Sequence, residues 1–199
     1  MKIKLYSNNT SERELQRVCD ILNDGGVVIY PTDSVYAMGC AINATRGVEK
    51  LNKLSGKDAR ELSLIFSSIS SVSEYCRVDN NVFKILKRNT PGAFTFILKG
   101  LSRIPDKVAA KRKTIGVRLP DNTITQQIVE MLGVPLLTTS LKSDEEEYLV
   151  DPELIFEQWG ERVDCVVDGG YAYNLPSTVV DMSEGDAEIV REGVGELIY

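Results

Sequence analysis

Apolar positions recur along this chain with two spacings, three-to-four and two, and the switches between them order its elements. Behind Ser11-Glu12-Arg13-Glu14, where a Ser and a Glu three residues apart form a capping box, Leu15, Val18, Cys19 and Leu22 repeat at helical spacing until Gly25-Gly26. A second helix carrying Val48, Leu51 and Leu54 is expected between an Asn43 cap and Gly56. Residues 68–90 hold two short helical patterns, with Val82, Ile85 and Leu86 on one face, before the turn signal Pro91-Gly92. Asn122 is placed to cap a helix through Ile124, Ile128, Val129 and Leu132 that Gly133 closes, and a last short helix is expected over 154–159. Between them, the apolar runs at 3–6, 27–30, 63–66, 94–98, 115–119, 136–140, 163–167, 178–180 and 188–190 read as strands. Strands and helices interleave without an internal repeat, which predicts one α/β domain over residues 1–199 with a mixed sheet. The polar run Lys142-Ser143-Asp144-Glu145-Glu146-Glu147 reads as a solvated loop or lid within that domain rather than a boundary.

Composition narrows the class. The 199 residues are 43% hydrophobic and 26% charged, the make-up of an ordinary globule, which excludes disordered and collagen-like classes. No apolar run nears the roughly 20 residues that span a bilayer, and the opening MKIKLYSNNT lacks a signal-peptide core, so a cytoplasmic protein is expected. Cys19, Cys40, Cys76 and Cys165 show no C-x-x-C spacing, so neither a zinc site nor a disulfide framework is indicated. Histidine is absent. Its absence removes Ser-His-Asp and Cys-His catalysis and the commonest metal ligand, leaving Lys, Tyr, carboxylates, hydroxyls and backbone amides. The net charge of −6 argues against broad nucleic-acid binding. A stretch with no acid nevertheless holds Lys107, Lys111, Arg112, Lys113 and Arg118, a candidate anion or RNA patch.

The candidate chemistry sits at strand ends. In residues 27–40, VVIYPTDSVYAMGC, an apolar strand runs into Pro31-Thr32-Asp33-Ser34, a polar scaffold edge of the kind at which open α/β sheets bind ligands. Thr95, Thr138, Thr139, Ser140, Ser177 and Thr178 lie at other strand ends, and uncharged hydroxyls suit phosphate oxygens or the polar groups of an amino acid. Against this stands the plainer reading that threonine forms strands well and caps its own turns. Arg118 sits inside the apolar run 114–120, where its guanidinium needs water, a carboxylate or a bound anion; Arg191 poses the same choice. Lys57 and Arg60 lie in a charged loop and read by themselves as solvated charges.

Taken in order, YPTDSVYAMG, TPGAFTFILKG, KRKTIGVRLP, PLLTTS and LPSTVVDMSEGDAEIVREGVG resemble the YrdC/YciO family of threonylcarbamoyl-adenylate synthases and their relatives, and within it the YciO branch. The resemblance implies a YrdC/RibB-like fold: a twisted, open, mixed β-sheet flanked by helices, with a deep positively charged concavity. It implies a reaction of L-threonine, bicarbonate and ATP to threonylcarbamoyl-AMP and pyrophosphate, with Mg2+ held mainly by the nucleotide phosphates. This is the first step toward a threonylcarbamoyl modification of adenosine in certain tRNAs, so downstream tRNA-modifying proteins are implied as partners. Carried over residue by residue, Thr32, Tyr36, Arg118, Thr138 and Ser177 would hold threonine; Lys57, Thr95, Ser140 and Arg191 would hold the nucleotide; Lys57 and Arg60 would be the catalytic cations. Two places depart from the synthase pattern. Its Lys-x-Arg is here Ser55-Gly56-Lys57, and its Ser-x-Asn is here Ser140-Leu141-Lys142. A binding module for tRNA, double-stranded RNA or a nucleotide without synthesis is the alternative, drawing on Lys107, Lys111, Arg112 and Lys113.

Overall fold

The structure, a computed structural model, describes residues 1–56, 62–109 and 113–199. The first helix, α1 (Glu12–Asn23), starts where expected: the Ser11 side chain accepts the Glu14 amide hydrogen, Glu12 and Glu14 sit in its first turn, and Leu15, Val18, Cys19 and Leu22 are buried. The second, α2 (Thr45–Ser55), corrects the Asn43 cap. Its N-cap is Ala44 without a side-chain bond, because the chain is still turning there, with the Ala44 amide donating to the Ala41 carbonyl. Gly56 ends it with φ 64°, a left-handed conformation that glycine adopts without Cβ strain. The paired helical patterns are α3 (Ile69–Tyr75) and α4 (Asn80–Asn89), capped by Ser68 and Asp79. In α6 (Thr123–Leu132), Asn122 accepts from the Thr125 amide, and Gly133 closes the helix at φ 73°. Short helices α5 (Asp106–Ala109) and α7 (Glu147–Val150) were not visible in the periodicity; α8 (Pro152–Trp159) was. No described helix is long and apolar enough to cross a membrane.

The strands are β1 (Lys2–Lys4), β2 (Val28–Tyr30), β3 (Ala37–Ala41), β4 (Ser63–Ile65), β5 (Phe94–Lys99), β6 (Thr114–Arg118), β7 (Leu136–Ser140), β8 (Cys165–Asp168), β9 (Thr178–Asp181) and β10 (Glu188–Arg191). They form one mixed sheet in the order β1-β8-β2-β3-β7-β4-β6-β5-β9-β10. β3 is the strand that the sequence reading missed. Its five residues AMGCA are all buried, so no polar–apolar alternation marks it.

The two faces of the sheet are covered differently. One face packs against α2, α3, α4 and α8 along most of the sheet, through Met38, Leu64, Phe96, Val117 and Val180. The opposite face packs against α1 and α6 only over the half that runs from β1 to β7 and the Ile65 end of β4, through Val28, Tyr30, Ala37, Leu136 and Val167. Over the remaining strands that second face is bare. Alternation in β5 records this: Phe94, Phe96 and Leu98 are buried, while Thr95, Ile97 and Lys99 are only half-buried.

One ion pair joins α2 to the edge of the core. Asp164 accepts from Lys50 Nζ at 2.7 Å and from the Val27 amide at 2.8 Å. Burial pushes its carboxyl up, but these partners outweigh that and hold it below the usual carboxylate value. The Asp164→Asn variant is expected to lose about 1 kcal/mol near neutral pH, allowing for solvent screening of this partly exposed pair. Because the folded value is depressed, the contribution is present above the unfolded carboxyl value, about pH 4, and disappears as pH falls through the folded one. Urea midpoints of the two proteins should therefore differ at pH 7 and converge in acid.

Candidate functional site

The bare half-face is the floor of a cavity of about 760 Å³. Strand register sets its floor. Thr138 of β7 pairs with Ser63 of β4, Ser63 with Gly116 of β6, and Gly116 with Ile97 of β5, so their side chains share one face. Thr95 pairs with Val179 of β9, and Val179 with Arg191 of β10, which carries that face to the sheet edge. The opposite wall is the chain leaving β7, from Ser140 to Asp144, and the rim includes Asn174 and Pro176. Gly116 keeps the floor low. A Cβ there would lie 2.4 Å from Ser63 Oγ and 3.1 Å from Thr95 Cγ2.

Arg118 settles into both of the roles that its sequence position left open. It lines the cavity, yet it is 3% exposed and its Nη2 lies 3.0 Å from Oδ1 of Asp33, itself 7% exposed. Nη2 also donates to Ser34 Oγ at 3.1 Å, and Asp33 Oδ2 accepts the Asp121 amide at 2.6 Å. Burial pulls both charged groups toward their neutral forms, and their mutual attraction with the Asp121 amide opposes it. Beside them, the Tyr30 hydroxyl meets Thr138 Oγ1 at 2.5 Å, reaching across Gly39, where any Cβ would lie 2.6 Å from that hydroxyl. Burial pushes the Tyr30 phenol above its ordinary value, so it serves as a neutral hydrogen-bonding group.

The far end is lined by hydroxyls and a second guanidinium. Thr95 Oγ1 and Ser177 Oγ are 2.8 Å apart, and Arg191 donates to the Ser177 carbonyl at 2.8 Å. The charged side chains on the described wall are Arg118, Lys142, Arg191 and Asp144. Among the described residues no group of His, Cys, Asp and Glu is arranged to hold a metal ion. The four cysteines are free and buried, and burial pushes their thiols up to about 11 for Cys19 and Cys165 and about 12 for Cys40 and Cys76, so no thiolate nucleophile is offered.

Seven residues singled out in the sequence, Thr95, Arg118, Thr138, Thr139, Ser140, Ser177 and Arg191, come together on this wall. Thr32 and Tyr36 lie elsewhere. The Thr32 hydroxyl donates to the Val35 carbonyl at 2.8 Å and accepts the Ser34 amide at 3.1 Å, closing a turn. The Tyr36 hydroxyl donates to the Gly170 carbonyl at 2.7 Å and accepts from the Gly169 amide at 3.1 Å, and the neighbour that reaches the cavity is Val35. Lys57 and Arg60 lie outside the described residues, as do Lys111 and Arg112. Lys107 is 3.3 Å from Glu49 of α2, and neither it nor Lys113 is on the cavity wall. Sequence reasoning passed over Ser63, Gly116 and Asn174. A glycine inside the strand pattern was the usable signal for one of them.

The family Sua5_yciO_yrdC, described as Telomere recombination, matches residues 20–193. The chain is 39% identical to YciO of Escherichia coli over 97% of its own length and 95% of that protein, whose crystal structure superimposes with a TM-score of 0.91, covering 98% and 97% of the two chains. It is 31% identical to a putative threonylcarbamoyl-AMP synthase of Methanocaldococcus jannaschii over 96% of this chain and 92% of that one. The structure of P. abyssi Sua5 complexed with L-threonine shares the fold, with a TM-score of 0.86 at 20% identity over 97% of this chain and 57% of that one.

The floor makes its own prediction. Gly116→Ala should destabilise the protein by about 1–3 kcal/mol through overpacking. Adding Ser63→Gly, which removes the atoms that the new methyl meets, should recover part of the loss; simple additivity in urea unfolding would show that the clash is not there.

Proposed function

Because this chain belongs to the Sua5/YciO/YrdC family, we propose that it is a nucleotidyltransferase of the threonylcarbamoyl-AMP synthase type, acting on L-threonine, bicarbonate and ATP. The observation that carries the reading is the gathering of two guanidiniums and a row of hydroxyls in one cavity, Arg118 with Thr138 near the covered half of the sheet and Arg191 with Thr95 and Ser177 toward its edge. A space of about 760 Å³ suits a nucleotide and a small amino acid side by side. The L-threonine in the P. abyssi Sua5 structure supports an amino acid as one occupant.

The chemistry asks for little beyond position and charge. The threonine amine takes up bicarbonate with loss of water to give a carbamate. A carbamate oxygen then bonds to the α-phosphorus as the bond from that phosphorus to the bridging oxygen breaks, and pyrophosphate leaves. Guanidinium and hydroxyl donors fixed in the pocket would stabilise the charge that builds on the phosphoryl oxygens, so the lack of histidine is no obstacle. Arg191, Lys142 and, from the loop, Lys57 and Arg60 would neutralise the triphosphate; Thr95 and Ser140 would take its remaining oxygens. Mg2+ would arrive on the nucleotide phosphates and polarise them, which fits a wall where Asp144 is the carboxylate on offer. The adduct would serve tRNA modification through a partner that consumes it. The alternative of RNA binding without synthesis rests on the patch at Lys107, Lys111, Arg112 and Lys113. The turn of Lys107 toward Glu49 lowers its appeal.

The purified protein with Mg-ATP, L-threonine and bicarbonate should release pyrophosphate and form a threonine adduct, and release should stop when either co-substrate is omitted. Silence at high enzyme concentration sinks the reading. Arg191→Ala should raise KM for ATP by about tenfold, the worth of one charge-assisted contact, and leave KM for threonine within about twofold.

A further inference from the structure

Asp33 lies outside the residues that the family resemblance assigns to a ligand, and its carboxylate is not on the cavity wall, yet it is the most fully engaged acidic group beside the site. One oxygen holds Arg118 Nη2 and the other the amide of Asp121, in the chain just past β6. The same carboxylate thus ties the loop after β2 to the strand that carries Arg118. Arg118 Nε, buried, has no acceptor among the described residues.

We infer that Asp33 is the positioning residue for the amino-acid end of the cavity: it grips Arg118 by Nη2 and so keeps the rest of that guanidinium in place for a substrate carboxylate. The inference rests on the function proposed above. A guanidinium buried without a counter-charge is costly, and for Arg118 the nearest relief is the water of the cavity it lines. Freed from Asp33, Arg118 would swing into the space a ligand needs. Arg191 on the same wall repels Arg118, and Asp33 offsets one of the two cations. Ser34 Oγ, the second acceptor of Nη2, is neutral and holds direction without supplying charge.

The test compares Asp33→Asn, Asp33→Glu and Ser34→Ala in the full chain, reading Kd for L-threonine and for Mg-ATP by calorimetry alongside the thermal midpoint. Asp33→Asn should weaken threonine by about tenfold or more while Mg-ATP stays within about threefold; Asp33→Glu should recover part of the loss, and Ser34→Ala should cost about two- to fourfold. Threonine and ATP weakening together, or threonine affinity untouched in Asp33→Asn, would show a merely structural carboxylate and overturn the inference. If Asp33→Asn does not fold, Asp33→Glu carries the comparison: its longer arm displaces Arg118, and threonine must weaken selectively. Wild-type protein that binds no L-threonine overturns the functional reading and this role with it, whereas wild-type binding that all three variants retain overturns the role of Asp33 alone.

Discussion

A sheet with one face clothed only halfway is the constraint from which the rest of this molecule follows. Strands buried on both sides must be largely apolar, and β2, β3 and β8 are, with the Tyr30 hydroxyl and the Asp168 carboxylate confined to strand ends. Where the helices stop, the strands can carry polar groups on the open side while the other side stays covered, and β5 does so with Thr95 and Lys99 against buried Phe94, Phe96 and Leu98. The cavity is therefore not cut into a finished core. It is what remains when α1 and α6 cover the strands from β1 to β7 and the Ile65 end of β4, and leave β6, β5, β9 and β10 uncovered.

The border between the two halves is where polar chemistry is forced inward. Arg118, at the end of β6, and Tyr30, at the end of β2, both lie on the face that changes from covered to open. Each is buried, and each has its partner: Asp33 for the guanidinium, Thr138 for the phenol. Unpaired, either would be a liability of the kind that unfolds domains; paired, they give a rigid, dry floor at the deep end of the pocket. Arg191 and the Thr95–Ser177 hydroxyl pair at the other end are more open, so one cavity offers two environments of different dielectric. That difference suits a small zwitterion at one end and a hydrated polyanion at the other.

Much of this was legible in the sequence. Ser11, Asn122, Gly56 and Gly133 act locally, through caps and left-handed turns, and the local signal was enough to place their helices. Thr95, Thr138, Ser140 and Ser177 stood at strand ends, and the register brought them to one wall. What could not be read was decided by long-range geometry. β3 carries no alternation because both its faces are buried, and Ala44 caps α2 because a turn from Ala41 uses up the preceding residues. Lys107 of the basic stretch lies beside Glu49, a partner remote in sequence.

The placement of Arg191 has a dynamic meaning. β10 is the last strand of the sheet, hydrogen-bonded on one side only, interrupted by an irregular register before Arg191, and exposed along its whole length. Such a strand frays at a free-energy cost far below that of global unfolding. One end of the pocket is thus nailed down by a buried ion pair while the other is mounted on the element most able to breathe, so an anion caught by Arg191 would be repaid partly in lost motion at the margin and would tighten β10 without disturbing the deep floor.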